Sequence, residues 1–227
     1  MTNEDTVAAL RDVARGAPGA WCEIDTWRLS DGTMIVFHDP TWGRVANHTT
    51  LPAGVTPSSL VTNATWAQVS QIRTKGGEPI PTLKQMIDAS ATYKVPLTVE
   101  VKNSVTNPAG IVGYAKTKGA TVDYYRKPGF GCAVKVLDPL RAAGARIGLK
   151  LIKYSDCTLA DIKARGTSFI TTLNSKVTPK YVQDMKTIGV EIYVRDVTES
   201  TSQGTLANGA ARLMVEDPRA ALAWPGV

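Results

Sequence analysis

Leu97-Thr98-Val99-Glu100-Val101-Lys102 and Ala20-Trp21-Cys22-Glu23-Ile24-Asp25-Thr26-Trp27 are the two stretches whose reading decides the fold. Side chains two apart along a strand share a face. In the first stretch Leu97, Val99 and Val101 lie on one side, and Thr98, Glu100 and Lys102 on the other. In the second, Glu23 and Asp25 share a face with Trp21 and Trp27, opposite Cys22, Ile24 and Thr26. A central parallel strand is apolar on both faces, so two strands with charges on one side need compensation. Unpaired buried carboxylates are costly, and several converging ones repel each other. Two arrangements meet that cost. One is a buried ion-pair network of Glu23, Asp25, Glu100 and Lys102. The other is a hard divalent cation, Ca²⁺ or Mg²⁺, whose usual protein ligands are carboxylate oxygens.

Outward from these stretches, short β-branched runs alternate with helical segments, the pattern of a parallel sheet covered by helices. Strands are expected over Ala20–Trp27, Leu97–Lys102, Arg146–Ile152, Ser168–Leu173, Glu191–Asp196 and Arg212–Glu216. Cys132–Leu137 reads either as a seventh strand or as the start of a helix ending near Gly144. Helices are expected over Thr6–Ala14, Leu83–Tyr93, Ala109–Lys118, Leu159–Ala164, Pro179–Ile188 and Ser202–Ala207. Thr82 and Gln85 would form a capping box on the second of these. Eight strands close a barrel; here the strand that should precede the first helix is missing or replaced. The 227 residues read as one domain, 1–227, with a loop and hairpin excursion around residues 28–81 whose polar part is Pro40–Pro81. In barrels such insertions line or cover the active site.

Composition narrows the function classes. The net charge of +6 comes from 26 Lys+Arg against 20 Asp+Glu, scattered without a dense basic block or nucleic-acid-binding motif, which argues against a nucleic-acid partner. No apolar run reaches the ~20 residues of a membrane span. The given chain opens without the pattern of a signal peptide, and its location, secreted and virion-associated ones included, stays open. Cys22, Cys132 and Cys157 show no paired spacing and read as ordinary thiols. Of the two histidines, His38 follows the Asp31-Gly32 turn on a hairpin continuing the Glu23/Asp25 strand, which brings it toward the carboxylates. It reads as an acid/base group or as a loop histidine bonded to Asp39. His48 lies in the polar excursion and reads as a surface residue. Asn47-His48-Thr49 and Asn63-Ala64-Thr65 match glycosylation sequons. No nucleophile elbow or phosphate-binding glycine loop is present.

With these residues in place, the chain resembles the glycerophosphodiester phosphodiesterase family. Glu23-Ile24-Asp25-Thr26, Leu29-Ser30-Asp31-Gly32, and Val36-Phe37-His38-Asp39-Pro40 with Arg44 are similar to its E-x-D strand, T-x-D-G turn and H-D motif. Ile80-Pro81-Thr82-Leu83 and Val99-Glu100-Val101-Lys102 are similar to its P-T-L helix start and E-x-K strand. Weaker similarity continues through Ile192–Asp196 and Leu213–Pro218, while Ser104–Gly131 matches poorly. The resemblance implies a triosephosphate-isomerase-type (β/α)8 barrel, an α/β fold. It implies metal-dependent hydrolysis of glycerophosphodiesters, in small-molecule or polymeric form, to an alcohol and glycerol 3-phosphate. It places Glu23, Asp25 and Glu100 as ligands of Ca²⁺ or Mg²⁺, His38 as one of two catalytic histidines, and Lys102 on the phosphate. The family's other histidine belongs to an H-R-G motif ahead of a P-E-N-T-like helix start. Here Asn3-Glu4-Asp5-Thr6 resembles that start, with only Met1 and Thr2 before it. Three readings follow: a chain with an upstream beginning, a diverged enzyme, or a barrel that binds glycerophosphate-type polymers, for instance at a cell surface or on a virion. A homo-oligomer is compatible with each.

Overall fold

Alternation of short strands and helices carries through the chain in the computed structural model, which describes residues 4–128, 132, 134–152, 156–215 and 218–224. Two compact units divide it, Met1–Val122 and Asp123–Val227.

In the first unit α1 (Val7–Gly16) is started by Thr6, whose hydroxyl accepts the Ala9 N–H at 3.1 Å. β1 (Cys22–Arg28) and β2 (Met34–Val36) form the expected hairpin, with Thr26 opposite Val36 and Arg28 opposite Met34. Gly32, at φ +85°, supplies the left-handed residue of its turn. After the one-turn α2 (Trp66–Val69) come α3 (Leu83–Tyr93), β3 (Leu97–Val101) and α4 (Pro108–Lys118). The Thr82–Gln85 capping box is formed: the Thr82 N–H donates to Gln85 Oε1 at 2.8 Å, and the Gln85 N–H to Thr82 Oγ1 at 3.2 Å. β1 lies between β2, antiparallel to it, and β3, parallel to it. The polar excursion has its own core, in which Leu29, Ile35, Phe37, Trp42, Val61 and Ile72 are buried. Its abundant Thr, Ser and Pro residues therefore surround a packed apolar centre.

The second unit runs β4 (Val122–Arg126), α5 (Asp138–Ala142), β5 (Arg146–Lys150), α6 (Leu159–Ala164), β6 (Phe169–Leu173), α7 (Pro179–Thr187), β7 (Glu191–Arg195), α8 (Glu199–Ala207), β8 (Arg212–Leu213) and α9 (Pro218–Ala221). β4 to β8 pair in parallel and in sequence order. β4 went unrecognised in the sequence because Asp123 interrupts its apolar pattern; its charge is matched only by strands distant along the chain. Residues 134–137 form neither a strand nor an α-helix; α5 begins just beyond Leu137 and ends close to Gly144, as the helical alternative expected. The thiol reading is corrected for two cysteines. Cys132 and Cys157 form a disulfide, with Cα atoms 5.2 Å apart. Their 25-residue separation carries no pairing signal, since the intervening chain must fold before they meet. Loop closure of this length stabilises by roughly 3 kcal/mol in the chain-entropy picture. Cys22 remains a free thiol, pushed up to about 12 by burial and then by Asp5 and Glu23.

One face of this second ladder carries the packed rings Tyr125, Phe169 and Tyr193, the last two stacked at 4.4 Å. Gly148 makes room for them, since a Cβ there would come within 2.3 Å of the Phe169 ring. Toward the strand starts the buried Asp123 meets Arg146 at 3.4 Å, Arg212 at 3.7 Å and the Tyr193 hydroxyl, which donates to it at 3.2 Å. Burial pushes the Asp123 carboxyl above its ordinary range, and Arg146 and Arg212 pull it back only in part. A group raised in this way contributes stability below its unfolded pKa that is lost as pH rises through the folded one. Wild type should therefore lose stability relative to Asp123→Asn as pH climbs from about 4; parallel urea midpoints across that range would contradict the assignment. Arg146→Met should cost on the order of 2 kcal/mol, less than a fully buried pair because Arg212 remains, and less in the Asp123→Asn background.

Candidate active site

β1 and β3 pair so that Asp25 stands opposite Glu100 and Glu23 opposite Thr98. Alternation puts all four on one face, and carboxylate oxygens of Glu23, Asp25 and Glu100 lie within 4.8 Å of one another. Asp25 and Glu100 are buried at 4% and 6% exposure, while Glu23 is exposed. Lys102, just past β3, is held in place by its N–H bond to the Thr26 carbonyl at 3.0 Å. Its Nζ lies 2.6 Å from Asp25 Oδ1 and 3.3 Å from Glu100 Oε2. Burial pushes the Asp25 carboxyl above its ordinary value, and Lys102 opposes that shift without cancelling it. Burial alone would lower Lys102, but Asp25 and Glu100 outweigh it and hold the ammonium above its ordinary value.

The hairpin delivers the histidine. The Phe37 N–H donates to the Asp25 carbonyl at 2.9 Å, so the next residue, His38, comes out beside the carboxylates. Its Nε2 is 3.8 Å from Asp25 Oδ2 and its Nδ1 2.6 Å from Asp39 Oδ1. The proximity to the carboxylates and the Asp39 contact, alternatives in the sequence, are thus both present. His48 instead sits on an exposed turn with Nε2 2.9 Å from the Gly43 carbonyl oxygen.

Sequence reasoning named Asp39 and, within the family-like H-D motif, Arg44, but gave Arg44 no partner. Arg44 donates from Nε to Asp39 Oδ2 at 2.7 Å and from Nη2 to Asp39 Oδ1 at 2.9 Å, a bidentate fork. Its Nη1 donates to Glu4 Oε2 at 3.0 Å. Arg44 holds the Asp39 carboxyl below the usual range. Asp5 was missed. At φ +57° it turns back so that its Oδ1 accepts the Asp25 N–H at 3.2 Å. Burial, then Asp25 and Glu23, push its carboxyl well above the usual range. The one sequence signal for Glu4 and Asp5 was the family-like helix start at Asn3–Thr6; nothing in the local pattern tied them to β1.

The glycerophosphoryl diester phosphodiesterase family model matches residues 1–211. The chain belongs to that family. No curated protein matches it significantly. Solved members share its fold at low identity. A phosphodiesterase from Oleispira antarctica, in complex with the product sn-glycerol-3-phosphate, has a TM-score of 0.78 at 17% identity, covering 96% of this chain and 90% of that one. A glycerophosphodiester phosphodiesterase from Agrobacterium tumefaciens gives 0.76 at 16%, with 96% and 93% covered. One from Thermotoga maritima gives 0.69 at 13%, with 96% and 91% covered.

The acidic triad fits a hard divalent cation. Oxygen donors that close can share an ion bound at about 2.0–2.6 Å from each. Asp25 Oδ1 is buried beside Lys102 Nζ without a well-directed hydrogen bond, so it has a lone pair to give. Saturating Ca²⁺ or Mg²⁺ should raise the melting temperature by roughly 5–10 °C at one hundred times the dissociation constant. Glu100→Gln should abolish most of that rise; an undiminished shift in this variant would take Glu100 out of the cation's shell.

Proposed function

We propose that this chain hydrolyses glycerol-linked phosphodiesters, releasing an alcohol and glycerol 3-phosphate, with a divalent cation held by Glu23, Asp25 and Glu100. The observation that carries the reading is the meeting of three carboxylates with His38 Nε2 3.8 Å from Asp25, in a chain of this family. The product bound to the Oleispira relative supports the same substrate class. A bound cation would polarise the phosphoryl group and neutralise charge on its oxygens.

The chain's own residues supply the rest. Hydrolysis requires one proton taken from the attacking water and one given to the leaving alcohol oxygen as its bond to phosphorus breaks. With the Nδ1 proton donated to Asp39, the Nε2 lone pair of His38 is turned to the site and performs one of these transfers. Arg44 holds Asp39 on both oxygens and so fixes the imidazole plane. Lys102, kept charged by its two carboxylate neighbours, offers a compact positive charge to the phosphate.

Turnover of glycerophosphodiesters measured with Ca²⁺, with Mg²⁺ and with EDTA tests activity and cation dependence together. Full activity in EDTA would rule out the cation. His38→Ala should lower turnover about 10²–10⁴-fold while cation affinity persists; lost affinity would make His38 a ligand instead. Cation binding with no turnover on any glycerophosphodiester would favour the binding-module reading.

A further inference from the structure

The ring-bearing face of the second unit continues past its aromatic layer. Two residues beyond Gly148, Phe169 and Tyr193 along their strands stand Lys150, Thr171 and Arg195, on the same face by alternation. The register sets Lys150 opposite Thr171, and Thr171 opposite Tyr193, with Arg195 one layer further along β7. Two cations and a hydroxyl from three consecutive parallel strands thus gather at the carboxyl ends. That is the end at which parallel α/β folds bind their ligands.

Partnering separates Arg195 and Thr171 from the arginines at the strand starts. There, Arg146 and Arg212 are matched by Asp123, and Arg146 also by Glu191. Here the Arg195 Nε is buried without a hydrogen-bond partner, and no carboxylate among the described residues pairs with its guanidinium. Thr171 is fully buried, and its Oγ1 also lacks a partner. Lys150 carries its ammonium over the Tyr125 ring, 6.0 Å from the centroid. Buried donors without partners cost roughly 1–3 kcal/mol each, and native proteins rarely keep them without a use.

We infer that Arg195, Thr171 and Lys150 form an oxyanion-binding subsite on the second unit, shaped for a tetrahedral phosphate-type group. Arginine offers a planar fork suited to two oxygens of such a group, lysine a point charge, and threonine a hydroxyl donor. The aromatic layer closes one side and keeps water from competing. All three belong to the second unit, whereas Glu23, Asp25, Glu100 and His38 belong to the first.

The test is a titration of the full chain with inorganic phosphate, followed by nitrogen-15 NMR of arginine Nε–H signals, with Arg195 assigned from Arg195→Lys. The Arg195 signal should move and saturate, whereas sodium chloride at equal ionic strength should not reproduce the shift. Thr171→Val, which keeps the shape of the side chain and removes the hydroxyl, should weaken binding about fivefold. Lys150→Met should weaken it about tenfold. An Arg195 signal that stays still, or follows chloride equally, overturns the inference, as do unchanged affinities in both folded variants. Because the readout is local and independent of turnover, it remains decisive whether or not the hydrolase reading holds.

Discussion

Asp25 and Glu100 stand side by side because β1 and β3 pair in one particular register. Two buried carboxylates at that spacing repel, and burial alone already disfavours their charge. Lys102 answers part of this, bridging both, and Asp5 meets the backbone N–H of the same Asp25 from the start of α1. A shift of one residue between β1 and β3 would send either Asp25 or Glu100 to the opposite face, against the apolar side chains there. The apolar halves of both strands, Ile24, Leu97, Val99 and Val101, are buried and hold the register that the charged halves work against.

His38 depends on the same register through the hairpin. Its position follows from the backbone bond between Phe37 and Asp25 and from the excursion's core around Trp42. Burial of Phe37 against Trp42, with ring centroids 5.1 Å apart, anchors the chain on one side of the histidine. Arg44 anchors Asp39 on the other. A segment of loop composition thereby becomes a packed arm, as the proposed proton transfer at His38 would require.

The second unit uses charge differently at the two ends of its strands. At the starts, Asp123, Arg146, Glu191 and Arg212 compensate one another around the Tyr193 hydroxyl, as expected of a layer that contributes stability. At the carboxyl ends, the Arg195 Nε and the Thr171 hydroxyl are buried without such a partner among the described residues. Arginines that look alike in sequence therefore carry unlike meanings, decided by what folds opposite them.

Period-2 patterning by itself determined that Glu23 and Asp25 share a face, that Glu100 and Lys102 share another, and that helices alternate with strands, because these follow from the geometry of a single strand or helix. The Thr82 cap and the Asp31-Gly32 turn were legible for the same reason: each is settled within a few residues. Tertiary structure alone decided that the two carboxylate faces are one face, since that depends on the β1–β3 register. It alone decided the reach of Arg44 to Glu4, the return of Asp5 to Asp25, and the Cys132–Cys157 bond. It alone also revealed β4, whose Asp123 breaks the local pattern and is compensated only by residues from β5 and β8. In each of these cases the partners lie too far apart along the chain for any local periodicity to record that they meet.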